Sequence, residues 1–561
     1  MKLKSKRTFT IAIILLLTCS AFFAGFKMAQ KANIQKQHVL GAQAILDLDY
    51  DEKEIEMMLP GLNRSLEGVK ELHEFKIGNE TPPALWFNPL VADKIIEATQ
   101  TKIQWDFPSG VSLPDNMDDL AFYTVAELSV LIKTKAISSV DLTAYFINRL
   151  KTHGNTLEAV IALTEERAMA SAERADQLLA EGTYLGPLHG IPYGAKDLLS
   201  VPDYKTTWGA APYKDQNRGE ELATVIKKLD EAGAVLVAKL TLGALAMGDV
   251  WYGGKTKNPW NLEQGSSGSS AGSGSTTAAG LVPFALGTET LGSIVSPATR
   301  NGVTGLRPTY GRVSKAGAMA LSWSMDKIGP IARTAFDCAL VFDVIRGEDQ
   351  KDLAVKNAAF NYSGKADLSK LKIGYLKSHF DRERNQKPND DKVLDVLRNL
   401  GAELIPVEMP GNMPFPAMQS ILTAEASAAF DALTRSNKDD LLVRQSSNAW
   451  PNSFRRGHFV SAVDYINANR ARYILMQKTN AVLEQFDVIV SPSYAGAQLL
   501  TTNLTGHPCV VLKNGYNEEG SPTSISFLGN LYDEATILSV ARTYQEATEF
   551  DEQHPERFKT K

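Results

Sequence analysis

A run of small residues between Gly265 and Gly280, Gly-Ser-Ser-Gly-Ser-Ser-Ala-Gly-Ser-Gly-Ser-Thr-Thr-Ala-Ala-Gly, carries most of the hydroxyl groups that could act together in this chain. A second small-residue stretch, from Gly287 to Pro297, follows after the short apolar segment 281–286. Small side chains let a substrate approach backbone N–H groups closely, which is what stabilising a developing oxyanion requires. Backbone segments lining a substrate site are therefore one reading, and a flexible Gly/Ser linker is the other. Gly268-Ser269-Ser270-Ala271-Gly272 also fits the Gly-x-Ser-x-Gly nucleophile elbow with Ser270 as nucleophile, but that motif needs a strand before it and residues 258–264 are poor strand formers. Gly254-Lys255-Thr256 is no phosphate loop, because Asp249 stands where the earlier glycine is needed. The eight histidines, His189, His458 and His507 among them, show no catalytic or metal-binding spacing, and His189 beside Gly190 reads as a turn filler. Cys19, Cys338 and Cys509 suggest neither a disulfide framework nor a zinc site.

The elements that would position these hydroxyls follow an α/β grammar. Thr124-Val-Ala-Glu127 is a capping box ahead of Leu128, Leu131 and Ile132 at helical spacing. Ser138 or Ser139 can cap a second helix whose apolar face is Leu142, Tyr145, Phe146 and Leu150. Farther on, Leu222, Val225, Ile226 and Leu229 form a helical stripe ended by Gly233, and the apolar run 234–238 follows. Similar runs at 371–376, 404–407, 487–490 and 510–512, with a helix near 393–400, predict helices alternating with strands buried on both faces. The pattern argues for a mostly parallel sheet.

The chain has 561 residues, 44% hydrophobic and 22% charged, with a formal charge of −5. That composition excludes disordered, collagen-like and coiled-coil classes, and no basic patch marks a nucleic-acid surface. At the N-terminus, Lys2, Lys4, Lys6 and Arg7 precede an uncharged stretch over residues 8–26 closed by Lys27. About 19 residues rising about 1.5 Å each would nearly span a bilayer, so residues 1–30 read as a membrane anchor or a cleaved signal peptide, with a passable site at Cys19-Ser20-Ala21. The cations favour a cytoplasmic N-terminus and an exported body, periplasmic or extracellular, or tethered outside the cytoplasm. Residues 31–119, broken by Pro82-Pro83, Pro108 and Pro114, read as a helical N-terminal extension, 120–550 as the main domain and 551–561 as a tail.

Six ordered segments resemble the amidase signature family: 188–197 ending in Lys196-Asp197, Asn258-Pro-Trp-Asn261, Gly268-Ser269-Ser270-Ala-Gly-Ser273, residues 287–298, Gly305-Leu-Arg-Pro308, and Met325-Asp-Lys-Ile-Gly-Pro330. A tail from Asn503-Leu-Thr-Gly-His-Pro508 to Gln545-Glu-Ala-Thr548 is similar to the family's C-terminal end. The resemblance implies one large α/β domain with a twisted mixed sheet covered by helices on both faces. It implies a Ser-Ser-Lys triad with Ser293 as nucleophile, Ser269 as bridge after a cis Gly268–Ser269 peptide, and Lys196 as base. A lysine with an ordinary pKa near 10.4 could not serve, but burial would make it neutral. The family pattern implies oxyanion donors from the backbone N–H groups of Thr290, Leu291, Gly292 and Ser293, with no metal and no cofactor.

Two departures are visible, Leu291 for a frequent Gly and Glu289 for a frequent Asp. Thr288-Glu-Thr290 is most similar to the peptide-amidase subgroup. The implied partner is a small-molecule or peptide amide rather than a nucleic acid, with the membrane reached only through an uncleaved N-terminal segment and a homodimer left open. Asp197 would orient the Lys196 loop. Arg300 and Arg307 read equally as ion-paired structure or substrate ligands, and Ser266, Ser267, Ser270, Ser273 and Thr288 as loop formers or supporting donors. Residues 409–470, with Pro410, Trp450 and Arg455-Arg456, are expected to shape the substrate pocket. The alternatives within the family are the glutaminase subunit of a tRNA amidotransferase, which would need cytosolic partner subunits, and a non-catalytic binding module.

Overall fold

Neighbouring residues of the apolar runs point into different cores, which is why those runs are continuous rather than alternating. In the computed structural model, which describes residues 33–92 and 94–559, they become strands of one eleven-stranded sheet. The anchor or signal read in residues 1–30 lies outside the described residues. Among the described residues no helix is long and apolar enough to cross a membrane.

The chain divides into two compact units, the first ending at Gly78 and the second beginning at Asn79. The first contains the helices Lys36–Leu46 and Glu52–Glu74. The second of these starts at a capping box in which Asp51 and Glu54 accept each other's backbone N–H groups at 2.8 and 2.9 Å. The α-helical part of the region 31–119 thus ends at Glu74, and its later residues pack within the second unit, where Asn79 exchanges hydrogen bonds with Ala320 and Gln100 reaches Phe360.

In the second unit the strands are β1 (Val160–Leu163), β2 (Pro192–Lys196), β3 (Val235–Leu240), β4 (Val250–Trp251), β5 (Gly254–Lys255), β6 (Lys257–Asn258), β7 (Asn261–Gly265), β8 (Phe284–Glu289), β9 (Thr304–Arg307), β10 (Lys327–Ala332), β11 (Ile373–Leu376), β12 (Leu404–Val407), β13 (Val488–Pro492), β14 (Cys509–Tyr516) and β15 (Pro522–Gly529). The large sheet runs β1-β3-β2-β8-β10-β9-β14-β15-β13-β11-β12, and β4-β5 and β6-β7 are separate two-stranded ribbons. Only the pairs β2·β3, β2·β8, β11·β13 and β11·β12 are parallel, so the expectation of a mostly parallel sheet is corrected to a mixed one. The reason is physical: a continuous apolar run reports burial of both faces, and here antiparallel strands are covered on both faces too. Phe284 and Leu286 of β8 join one core and Ala285 the opposite one, while Val510 and Leu512 of β14 are separated in the same way from Val511. The helices Ala335–Ile345 and Glu534–Glu546 cover the first face, and Glu165–Ala180 and Val295–Asn301 the second.

Thr124 caps the helix Val125–Lys133 as expected, its Oγ1 accepting from the Glu127 N–H at 3.1 Å. Of the two candidate serines, Ser138 is the cap of the next helix, Ser139–Leu157. The larger surprise is the Gly/Ser run, which is neither a linker nor simply a loop: Ala271–Ala278 is a buried helix. Its small residues are required by contact, since a Cβ on Gly272 would lie 2.6 Å from the Ala159 carbonyl oxygen and one on Gly274 2.9 Å from Asn301 Nδ2. Tertiary packing overrides the poor helix propensity of glycine and serine.

Candidate active site

Parallel β2 and β8 lie side by side, Ala195 opposite Leu286, and their C-terminal ends deliver Lys196 and the segment Thr288–Glu289 to one edge. Lys196 is fully buried. Its Nζ donates to Ser269 Oγ at 2.8 Å, Thr288 Oγ1 at 2.8 Å and Ser270 Oγ at 3.0 Å, with the Thr288 carbonyl at 3.4 Å. These acceptors are neutral. Burial therefore dominates and lowers its pKa to about 7, against a smaller upward pull from the Asp326 and Glu289 charges.

The loop before the buried helix supplies the serines, with Gly268–Ser269 in the cis form. Ser270 Oγ accepts from Lys196 and from the Thr288 N–H at 3.0 Å while donating to the Thr288 carbonyl at 3.1 Å. It ties the loop to β8, and it is buried. The nucleophile-elbow reading of Ser270 fails on this geometry. Residues 261–265 do form a strand, which the sequence disfavoured, but it pairs with β6 outside the large sheet and so presents no elbow.

Beyond Glu289 the chain turns through Thr290-Leu-Gly-Ser293 into the helix Val295–Asn301, with Gly292 at φ +83°, a conformation that favours glycine. Ser293 is 9% exposed, and its carbonyl accepts from the Ser270 N–H at 3.2 Å. Among the described residues its Oγ has no hydrogen-bond partner, and the link from Ser269 to Ser293 is not closed. The backbone N–H groups of Thr290, Leu291, Gly292 and Ser293 likewise have no acceptor among the described residues. They are four consecutive backbone donors in one turn.

This turn is held from behind by residues the sequence did not single out for that role. Glu289 Oε2 accepts from the N–H groups of Ile294 and Val295 at 2.9 and 3.0 Å. Its Oε1 accepts from Arg307 Nη1 at 2.9 Å and Asn503 Nδ2 at 2.8 Å. Burial would raise this carboxyl, but Arg307, Lys327 and the hydrogen bonds hold it at about 2. Arg307 is thus ion-paired structure, whereas Arg300 reaches Gln264 at 3.2 Å. Thr290 Oγ1 donates to Asp326 Oδ1 at 2.6 Å, and Asp326 Oδ2 accepts from the Leu321 and Ser322 N–H groups. Glu289, Asp326 and Asn503 all lie inside the family-like segments, but nothing in their spacing announces that they converge.

Asp197 anchors the other side, its Oδ2 accepting from Thr207 and its Oδ1 ion-paired with buried Lys239 at 2.8 Å. Ser273 Oγ donates to the Leu286 carbonyl at 2.8 Å and Ser267 Oγ pairs with Ser296 Oγ at 2.5 Å, so both support the loops. Ser266 bonds to the adjacent Ser267 carbonyl. Thr288, by contrast, touches Lys196 directly. His189 bonds to the Ala175 carbonyl, His507 to Thr505 and His458 lies near Asp431, which leaves all three outside the cluster. Among the described residues no group of three or more His, Cys, Asp or Glu is placed to hold a metal ion.

A cavity of about 1670 Å³ opens beside the turn and is bounded by Thr288, Thr290 and Asp326. Glu425, Tyr465 and Ile466 from the region 409–470 line it, but Pro410, Trp450, Arg455 and Arg456 do not. Trp450 Nε1 instead donates to the Leu245 carbonyl, and Arg455 pairs with Asp439 and Asp440.

Comparison with known proteins places the chain in a family. The family model "Amidase" matches residues 141–538. The A-type subunit of a glutamyl-tRNA(Gln) amidotransferase from Coxiella burnetii is 33% identical over 486 residues, covering 77% of this chain and 99% of the relative. The crystal structure of a peptide amidase from Stenotrophomonas maltophilia superimposes with a TM-score of 0.69 at 27% identity, over 79% of this chain and 100% of that one. An amidase family protein from Bacillus anthracis gives a TM-score of 0.70 at 25% identity, over 78% and 93%. The chain belongs to the amidase signature family and is a hydrolase of carbon–nitrogen bonds.

Proposed function

We propose that the chain hydrolyses a carboxylic amide through an acyl ester on Ser293. Neutral Lys196 accepts a proton from Ser269 Oγ as Ser269 takes one from Ser293 Oγ, and Ser293 attacks the amide carbonyl carbon. The tetrahedral oxyanion is met by the backbone N–H groups of Thr290, Leu291, Gly292 and Ser293, each such donor typically contributing about 3–4 kcal/mol. Collapse breaks the C–N bond, and the proton returns by the same path to the leaving nitrogen, releasing ammonia or an amine. Water then attacks the ester, giving the acid and restoring Ser293. The observation that carries this reading is a buried lysine, 2.8 Å from Ser269 Oγ, surrounded by hydroxyls and with no carboxylate partner among the described residues. The test is peptide mass spectrometry after treatment with a fluorophosphonate. An adduct on Ser293 that is lost in Lys196→Ala is expected, and wild-type turnover by Lys196→Ala would overturn the triad.

Export of the catalytic body belongs to this reading and rests on residues 2–27. Fractionation of the source cells, with N-terminal sequencing of the native protein, tests it. A second reading, a glutaminase subunit of a tRNA amidotransferase, is favoured by the 33% identical relative that bears such a name. Stable co-purification with other amidotransferase subunits from the cytosol would establish that reading in place of the exported hydrolase. An inert binding module is disfavoured by the presence of all three triad side chains.

A further inference from the structure

The stretch 553–559 belongs to the residues that read as a tail in the sequence, and it lies beyond the matched region 141–538. It is nonetheless fastened along its length. The Gln553 carbonyl accepts from Lys513 Nζ at 2.9 Å. His554 stacks on Phe122, with ring centroids 4.1 Å apart and planes 10° from parallel. Phe558 is buried in the core that holds Ala279, Leu281, Val282 and Ala285, and His153 meets its ring edge-on at 5.5 Å. The Phe558 carbonyl accepts from Arg149 Nη2 at 3.1 Å.

Arg149 carries this attachment to the segments around Lys196. Buried on the helix Ser139–Leu157, it donates from Nη2 to the Ala279 carbonyl at 3.1 Å and from Nε to the Gly280 carbonyl at 2.8 Å. Carbonyls at the C-terminal end of a helix, here Ala271–Ala278, lack partners within it and favour a cation. Ala279 and Gly280 also open the turn that leads into β8. That turn has little room to shift: Gly280 is at φ +65°, and a Cβ there would lie 2.7 Å from the Ala121 carbonyl oxygen. On one side of the turn is the helix that follows the Ser269-Ser270 loop, and on the other is β8, where Thr288 accepts from Lys196. The Ser273 bond to the Leu286 carbonyl fixes helix and strand against each other. The place of residues 279–280 therefore sets how Ser269, Ser270 and Thr288 meet the lysine.

Resting on the reading of Lys196 and Ser293 as base and nucleophile, we infer that residues 553–559 are a clamp needed for full acylation rate. Arg149 and Phe558 are its positioning residues, acting through the turn 279–280 on the hydroxyls that surround Lys196.

The test uses the full-length chain with Phe558→Ala, Phe558→Leu and, at a partly buried position, His554→Ala. The readouts are fluorophosphonate labelling of Ser293 against pH, hydrogen exchange of the backbone amides over residues 271–289, and thermal unfolding. Phe558→Ala is expected to speed exchange over 271–289 roughly tenfold and to lower the plateau labelling rate about tenfold. It should also move the midpoint of the labelling profile up from about 7, by about half a unit, as water reaches Lys196. Phe558→Leu, which refills most of the pocket, should restore all three. If circular dichroism shows Phe558→Ala unfolded, His554→Ala carries the same test, with effects of about threefold expected. A lower melting temperature with labelling rate, midpoint and exchange over 271–289 unaltered would make the segment a stabilising strap and overturn the clamp. If the wild type takes no adduct on Ser293, the hydrolytic reading falls, and exchange alone decides whether residues 553–559 hold the turn: faster exchange in Phe558→Ala supports it, unchanged exchange overturns it.

Discussion

Two buried charged regions flank the turn Thr290–Ser293 and are built on opposite principles. Behind the turn, Glu289 and Arg307 are both fully buried and meet at 2.9 Å, as Asp197 and Lys239 do at 2.8 Å beside it. In front, Lys196 is equally buried but among the described residues has only hydroxyls and a carbonyl for partners. A buried ion with a matched counter-ion stays ionised and serves as a fixed strut, whereas a buried cation without one is driven toward neutrality. The first arrangement holds the turn in place, and the second lowers the pKa of Lys196 to about 7, as the proposed role of proton acceptor requires. The same residue type, lysine, is an ion-paired strut at 239 and the proposed base at 196.

The contrast predicts effects of different kinds. Lys196→Ala removes the proton acceptor and should lower the acylation rate roughly 10⁴-fold or more, with circular dichroism unchanged. Glu289→Ala should instead strike the fold: Arg307 is left buried without its counter-ion, at a cost of about 3–5 kcal/mol in denaturant unfolding. If the Glu289 variant lost activity with full stability, the strut assignment would be wrong.

Burial of Lys196 also has a stability signature. Its folded pKa, about 7, lies below its ordinary value of 10.5, so between those limits the unfolded chain holds the extra proton and stability rises with pH. The penalty is present in full below about pH 7. Lys196→Met should therefore stabilise the protein by on the order of 2–4 kcal/mol near pH 6 and progressively less toward pH 10. Lys239→Met should destabilise it, by orphaning Asp197. The smallest expected effect is at the edge of the turn, where Thr290→Val breaks the bond to Asp326 and should reduce kcat about tenfold with KM nearly unchanged.

The helices with clear caps and stripes, such as Val125–Lys133, were readable from sequence because their signals are local. Burial of most strands was readable as well, since continuous apolar runs report two covered faces, but strand direction was not, and the run Leu404–Val407 is an edge strand that is only partly buried. Lys196, Ser269 and Ser293 were identifiable only through the family-like segments, because a lysine and two serines separated by 73 and by 24 residues carry no periodic signal of their own. Glu289 stood out merely as a substitution for Asp. Its function became visible when the fold brought Arg307 and Asn503 to one carboxylate oxygen and the N–H groups of Ile294 and Val295 to the other. The Ala271–Ala278 helix was hidden for a complementary reason: its composition is set by neighbours at contact distance, which no local propensity encodes.

The most direct test of a buried, near-neutral Lys196 is the rate at which Ser293 forms a fluorophosphonate adduct as a function of pH, from about pH 5 to about pH 9. The predicted profile rises about tenfold per unit up to an apparent pKa near 7, levels off above it, and collapses to a low, flat line in Lys196→Ala. A wild-type profile that is flat across this range, or one whose midpoint survives in Lys196→Ala, would contradict the account.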